Sequence, residues 1–283
     1  MSHYTVGAIL DKNKIDQDVK NAVKNITDIT NTVVPEEKIK ELKFLAIQHH
    51  TEKALEPFYE GLEVESYVDA TVEEVKQKLN EIKSYTEEEM EEQPRKRYLY
   101  DNFASCDLES FASKYYESEL TDEGVMSTYN PNSKWDWYII GGRWANELPT
   151  IGKKPLEERD SYTDDINSFA RIKDILFTRD IPNEEQEMLK ETYEKMMTKG
   201  DFYKPEYYQR KYPTFDDFVK SKTTYSTYAL LTSDGTWHEP GRMGWFGMSS
   251  AEPEEEKDFK ETYKELILKE NPENYFVLVD CHI

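Results

Sequence analysis

The two ends of the chain constrain its fold more than anything between them. Tyr4, Val6, Ala8 and Leu10 alternate with Thr5, Gly7 and Ile9, and residues 275–283 are apolar on both sides of the same two-residue period. A strand that is apolar on both faces belongs inside a sheet, covered on each side. Both ends are therefore expected as interior strands lying side by side. In the last stretch Phe276, Leu278, Asp280 and His282 share a face, which sets Asp280 and His282 roughly 7 Å apart on the same side.

Two internal stretches, residues 133–144 (SKWDWYIIGGRW) and 237–248 (WHEPGRMGWFGM), hold all five tryptophans and five of the eleven glycines. Flat rings beside glycines, where backbone can approach a ligand closely, compose a pocket floor, and an arginine in each stretch adds an anion contact. The ligand-binding residues expected there are Trp135, Trp137, Gly141, Gly142, Arg143, Trp144, Arg242, Gly244 and Trp245. A tryptophan stripe also packs cores. If residues 134–140 form a strand, Trp135 and Trp137 share one face and fit either use, whereas Trp144 and Trp245, close to glycines, suit a stacking platform worth ~1–3 kcal/mol per base.

Composition narrows the function classes. With 36 basic and 58 acidic residues the formal charge is −22, and such a surface repels phosphate backbones, so general nucleic-acid binding is disfavoured. An aromatic share of 13% argues against disorder. Cys106 and Cys281 have no zinc or redox spacing and are expected reduced, and no apolar run approaches the ~20 residues that span a bilayer. A cytoplasmic protein without membrane contact is expected.

Between the ends, Ile15, Val19, Val23, Ile26 and Ile29 recur with helical spacing, and Pro35 opens a second helix whose buried side is read as Ile39, Leu42, Phe44 and Leu45, ending near His49 and His50. Those adjacent histidines point about 100° apart on a helix and do not converge on one ion. Residues 62–68 alternate as a strand, and Thr71 with Glu74 form a capping box for the helix that follows. Residues 149–222 turn charged, tyrosine-rich and helical, which predicts a helical insertion or lid on a core made of residues 1–148 and 223–283. A hairpin follows over residues 226–239, turning at Ser233, Asp234 and Gly235, and then a helix whose inner face is Phe259, Tyr263, Leu266 and Ile267. The fold class is α+β: a mainly antiparallel sheet including both terminal strands, with helices on one side.

No phosphate loop, zinc-histidine helix or nucleophile elbow is present, so candidate chemistry rests on constellations. A carboxylate beside an imidazole orients it as a base or as a metal ligand, which singles out Asp280 and His282; a hydrogen-bonded strand end explains them equally well. His238 and Glu239, followed by Arg242, place acid, base and anion-binding groups in one loop, or a salt-bridged turn. Cys281 faces away from both neighbours and reads as core.

The segments at 133–144, 237–248 and 279–283 (VDCHI), with weaker likeness at His3 to Val6 and at residues 55–64, resemble an uncharacterised group of phage and prophage proteins. The likeness touches both ends and the middle and leaves the insertion uncovered. The group implies a role in host takeover or in countering host defence, and it supplies no activity, metal or cofactor. Three functions follow as expectations. The first is binding of a small anionic, nucleotide-like ligand in the tryptophan, glycine and arginine pocket. The second is a hydrolase or phosphodiesterase using His238, Glu239, Asp280 and His282. The third is an acidic inhibitor of a host defence protein.

Overall fold

The computed structural model describes residues 2–145, 147–150, 164–244 and 248–283, with Glu92 described by its backbone alone. Its strands are β1 (His3–Leu10), β2 (Tyr67–Thr71), β3 (Gly124–Ser127), β4 (Trp137–Ile140), β5 (Phe169–Arg171), β6 (Ala229–Leu231), β7 (Trp237–His238) and β8 (Tyr275–His282). The α-helices are α1 (Lys12–Thr30), α2 (Glu36–Leu55), α3 (Val72–Lys83), α4 (Glu87–Glu92), α5 (Pro94–Phe103), α6 (Leu108–Tyr115), α7 (Asn183–Lys199), α8 (Pro205–Lys211), α9 (Phe215–Thr223) and α10 (Pro253–Lys269). The class is α+β. No helix among the described residues is long and apolar enough to cross a membrane.

The chain forms two compact units, one of residues 1–59 and 132–283, the other of residues 60–131, a division the sequence does not announce. The larger unit carries a sheet of order β4-β8-β1-β6-β7, with β5 pairing further along the β4 edge of β8. β1 and β8 pair antiparallel over their full length, from His3 opposite His282 to Leu10 opposite Tyr275. β1 and β6 are the parallel pair, and the remaining pairs are antiparallel.

Alternation along the central strands fills two cores. Tyr4, Val6, Ala8, Leu10, Val277, Val279 and Cys281 meet Ile15 of α1 and Ala46, Ile47 and Leu55 of α2 on one face. Ile9, Leu230, Phe276 and Leu278 meet Tyr263 and Ile267 of α10 on the other. Helices therefore flank both faces, which corrects the expectation of one side: strands apolar on both faces need cover on both. α2 also runs on to Leu55 and buries Ala46, Ile47, Thr51 and Leu55, leaving Leu45 exposed, because its stripe is set by what the sheet presents and not by its densest apolar run. His50 hydrogen-bonds Asp18 across the helix pair and has no metal geometry.

In the predicted insertion, residues 151–163 lie outside the described residues. Met196, Tyr208 and Phe218 of α7, α8 and α9 form a small core of their own. The smaller unit packs Val75, Leu79, Ile82, Phe103 and Phe111 behind the β2-β3 pair. The Thr71 capping box is present, but the strand before it is Tyr67–Thr71, shorter and later than the alternation over residues 62–68 suggests, with a bulge between Val68 and Ala70.

Candidate functional site

Strand alternation builds the site. β8 sends Phe276 and Leu278 into the core beneath α10, and the next residues with that orientation are Asp280 and His282. Register places His3 opposite His282 on β1, and Trp137 opposite His282 and Ile139 opposite Asp280 on β4. Paired residues point to the same face, so His3, Trp137, Asp280 and His282 project together where the apolar ladder stops.

Asp280 is fully buried; its Oδ1 accepts from His3 Nδ1 at 2.8 Å and its Oδ2 from the Arg143 backbone N–H at 2.9 Å. His282 Nδ1 donates to Asp136 Oδ1 at 2.6 Å. An ionised carboxylate only accepts, so each imidazole carries its proton on Nδ1 and turns Nε2 outward from its carboxylate. The His282 ring stacks on Trp137 with centroids 4.8 Å apart, and the His3 ring stands edge-on to both at 5.1 Å and 5.0 Å. His282 Nε2 is buried and has no hydrogen-bond partner among the described residues. Leaving such a nitrogen unpaired costs about 1–3 kcal/mol, so packing alone gives no reason for it.

The two glycines before Arg143 make this arrangement possible. Gly142 has φ +51°, and a Cβ there would lie 2.4 Å from Asp280 Oδ2. Gly141, at φ +79°, would place a Cβ 2.4 Å from Ser168 Oγ, while its own N–H donates to Leu278 O at 2.8 Å. Tight backbone passage lets the Arg143 amide reach the buried carboxylate. The Arg143 side chain is exposed, and among the described residues no carboxylate engages it. Trp144 packs against the core under α10. Cys281 points to the opposite face, and burial, followed by the charges of Asp280 and Asp136, pushes its thiol well above the usual range, so it is inert.

The remaining expected residues lie elsewhere. β4 begins only at Trp137; Trp135, before it, bridges to Tyr59 and sits in the α1/α2 core with its Nε1 donating to Leu55 O at 3.1 Å. Trp135 and Trp137 therefore face opposite ways, because the bend at Asp136 breaks the alternation. His238 lies on β7, three strands from β8, about 14 Å away at ordinary strand spacing. Glu239 is held by Lys134 Nζ at 2.7 Å and Trp237 Nε1 at 2.9 Å. His238 and Glu239 thus do not converge with Asp280 and His282.

Arg242 and Gly244 follow β7, at one edge of the sheet, whereas Arg143 follows β4, at the other. The Gly244 N–H donates to Met248 O at 2.8 Å, and Trp245 lies outside the described residues.

Two members of the cluster escaped the sequence reading as chemistry: His3 and Asp136. The signal for His3 was present, because pairing the two end strands antiparallel at equal length sets residue 3 against residue 282. Asp136 had none, since its role depends on the bend. Among the described residues no group of three or more His, Cys, Asp or Glu side chains could hold a metal ion. No family model matches the chain, and no curated protein or solved structure matches it.

Proposed function

We propose that the protein is a hydrolase acting on a small anionic phosphoester, with His3 and His282 as the acid–base pair and Arg143 as the anion contact. One observation carries this reading: two imidazoles 5.0 Å apart, each with Nδ1 held by its own carboxylate, and one with Nε2 buried and unpartnered. A carboxylate on Nδ1 sets the tautomer and fixes the ring's orientation, so that Nε2 is the atom presented for proton exchange. The neutral ring takes a proton from a water whose oxygen bonds to phosphorus, and the protonated ring gives one to the departing oxygen as its bond to phosphorus breaks. Trp137, already stacked on one ring, supplies a flat surface suited to a nucleotide-like group. His3 and Asp136 thereby take the places that His238 and Glu239 held in the sequence-based set.

A second reading is favoured by burial: the His3 and His282 side chains are 7% and 5% exposed, as befits a polar clasp between paired strand ends. Hydrolysis of bis(p-nitrophenyl) phosphate and of a panel of linear and cyclic nucleotides by the wild type, His3→Gln and His282→Gln separates the two. Enzymatic action requires wild-type turnover and a loss of about 100-fold or more in each variant that melts near the wild-type temperature. Undiminished turnover in His282→Gln refutes the acid–base role. No turnover by the wild type, with both variants melting several degrees lower, identifies the clasp.

A further inference from the structure

A second chemically distinctive place lies on α10, independent of the histidine pair. Two cavities, of about 480 Å³ and 370 Å³, share the side chains of Lys260 and Glu256. The first runs between α9 and α10 and is rich in lysine; the second is walled by aromatic rings, among them Tyr203, Tyr207, Tyr228 and Phe259. Lys260 stands where cation and ring meet.

Three of the lysines around it are paired with carboxylates and it is not. Lys211 pairs with Glu256, Lys220 with Glu261 at 2.9 Å and Lys257 with Asp217 at 3.1 Å. Lys260 reaches only the carbonyl oxygen of Ser221, at 3.5 Å, and among the described residues no carboxylate pairs with it. Lys264, one helical turn on and lining the same lysine-rich cavity, also lacks a carboxylate partner among the described residues.

The groups that bear on the Lys260 amine are Lys211 of α8, Lys222 of α9 and Glu256 of α10. Burial acts most strongly, the two lysines add to it and Glu256 opposes it, which lowers the ammonium to about 8. A desolvated amine beside other cations is the recurring device by which lysine is made a nucleophile near neutral pH.

We propose that Lys260 forms a reversible imine with a small aldehyde or ketone that also carries an anionic group. The neutral ε-amine attacks the carbonyl carbon; the carbinolamine then loses its oxygen as water, carrying off both amine protons, and a carbon–nitrogen double bond remains. The flat carbonyl compound rests among the tyrosines and Phe259, and its anion is met by Lys264. No oxidant, reductant or metal is needed.

Pyridoxal 5′-phosphate, an aromatic aldehyde bearing a phosphate, is the probe. Borohydride reduction after brief exposure at pH 7.5, followed by peptide mapping, reads the rate at each lysine. At that pH about a quarter of an amine titrating near 8 is neutral, against about 0.1% for an ordinary lysine; the weaker base attacks more slowly, which leaves a net advantage of about tenfold. Lys260 is therefore expected to label about tenfold faster than exposed Lys14, Lys260→Arg to lose the fast phase, and Lys264→Gln to weaken saturation. Equal rates at Lys260 and Lys14 in the wild type overturn the proposal without needing any variant to fold, as does an unchanged fast phase in a folded Lys260→Arg.

Discussion

Replacing Gly142 by alanine tests the geometry of the histidine site in one step. The new methyl would sit 2.4 Å from Asp280 Oδ2, at a backbone φ of +51°. The left-handed conformation alone costs a side-chain-bearing residue about 1–2 kcal/mol. The carboxylate must also retreat, losing either the Arg143 amide at 2.9 Å or His3 Nδ1 at 2.8 Å, and a hydrogen bond to a charged group contributes about 1.5–3 kcal/mol. Together these place Gly142→Ala about 3–5 kcal/mol below the wild type, a fall in melting temperature on the order of 10 °C for a chain of this size. Gly235→Ala is the control, since Gly235 has φ +85° and nothing within 4 Å of its would-be Cβ, so it bears the backbone cost alone. Thermal and urea unfolding, followed by circular dichroism, measure both. If Gly142→Ala unfolds within about 1 kcal/mol of Gly235→Ala, Asp280 is not clamped as described and the positioned imidazole loses its basis.

The other expectations concern the same two sites and the core. Asp136→Asn should cut turnover at least about tenfold and shift the pH–rate profile, with little change in melting temperature because its side chain is 37% exposed; an unaltered profile would remove Asp136 from its positioning role. The folded state holds the Lys260 ammonium down to about 8, below its value in the unfolded chain, so between about pH 8 and pH 10 the unfolded chain binds the extra proton and stability rises with pH. Lys260→Met should flatten that rise and stabilise the protein at pH 7 by about 1–3 kcal/mol, as urea midpoints across pH will show. Above about pH 10 the trend reverses, because burial raises Tyr4, Tyr225 and Tyr263 and the folded state then holds the protons. Both thiols, buried in the native protein, should resist a dithiobisnitrobenzoate titration until denaturant is added; prompt reaction of Cys281 would contradict its place in the core.

The period-two pattern of residues 4–10 and 275–283 was enough to place both strands inside one sheet, and it also set Asp280 and His282 on a common face. Local signals served equally well at the Thr71 capping box, at the Gly235 turn and along the inner face of α10, where short-range chemistry decides the outcome. Position across the sheet was not legible. The order β4-β8-β1-β6-β7 puts the strands of the two tryptophan-rich segments at opposite edges, although Lys134, ahead of β4, still pairs with Glu239 after β7, and Trp135 shares a core with Trp237 and Met243. Trp135 misled because a single bend at Asp136 turns the expected strand over. Gly141 and Gly142 were read as a pocket floor; they are needed for backbone passage over Ser168 and Asp280. Lys260 gave no sequence signal, since its burial comes from α8 and α9 folding back on α10.

The pairing of β1 with β8 has a consequence for how the polypeptide is made. His3 and Asp280 are 277 positions apart, yet each strand is the other's neighbour at the middle of the sheet. At 5–20 residues per second a ribosome needs roughly 15–50 s to bring the second strand out after the first. Through most of that interval β1 is an apolar ribbon with both flanks open, because its other neighbour, β6, is made only about forty-five residues before β8. Chaperone dependence during translation should therefore be concentrated on the segment that holds β1 and should fall once β8 has cleared the exit tunnel.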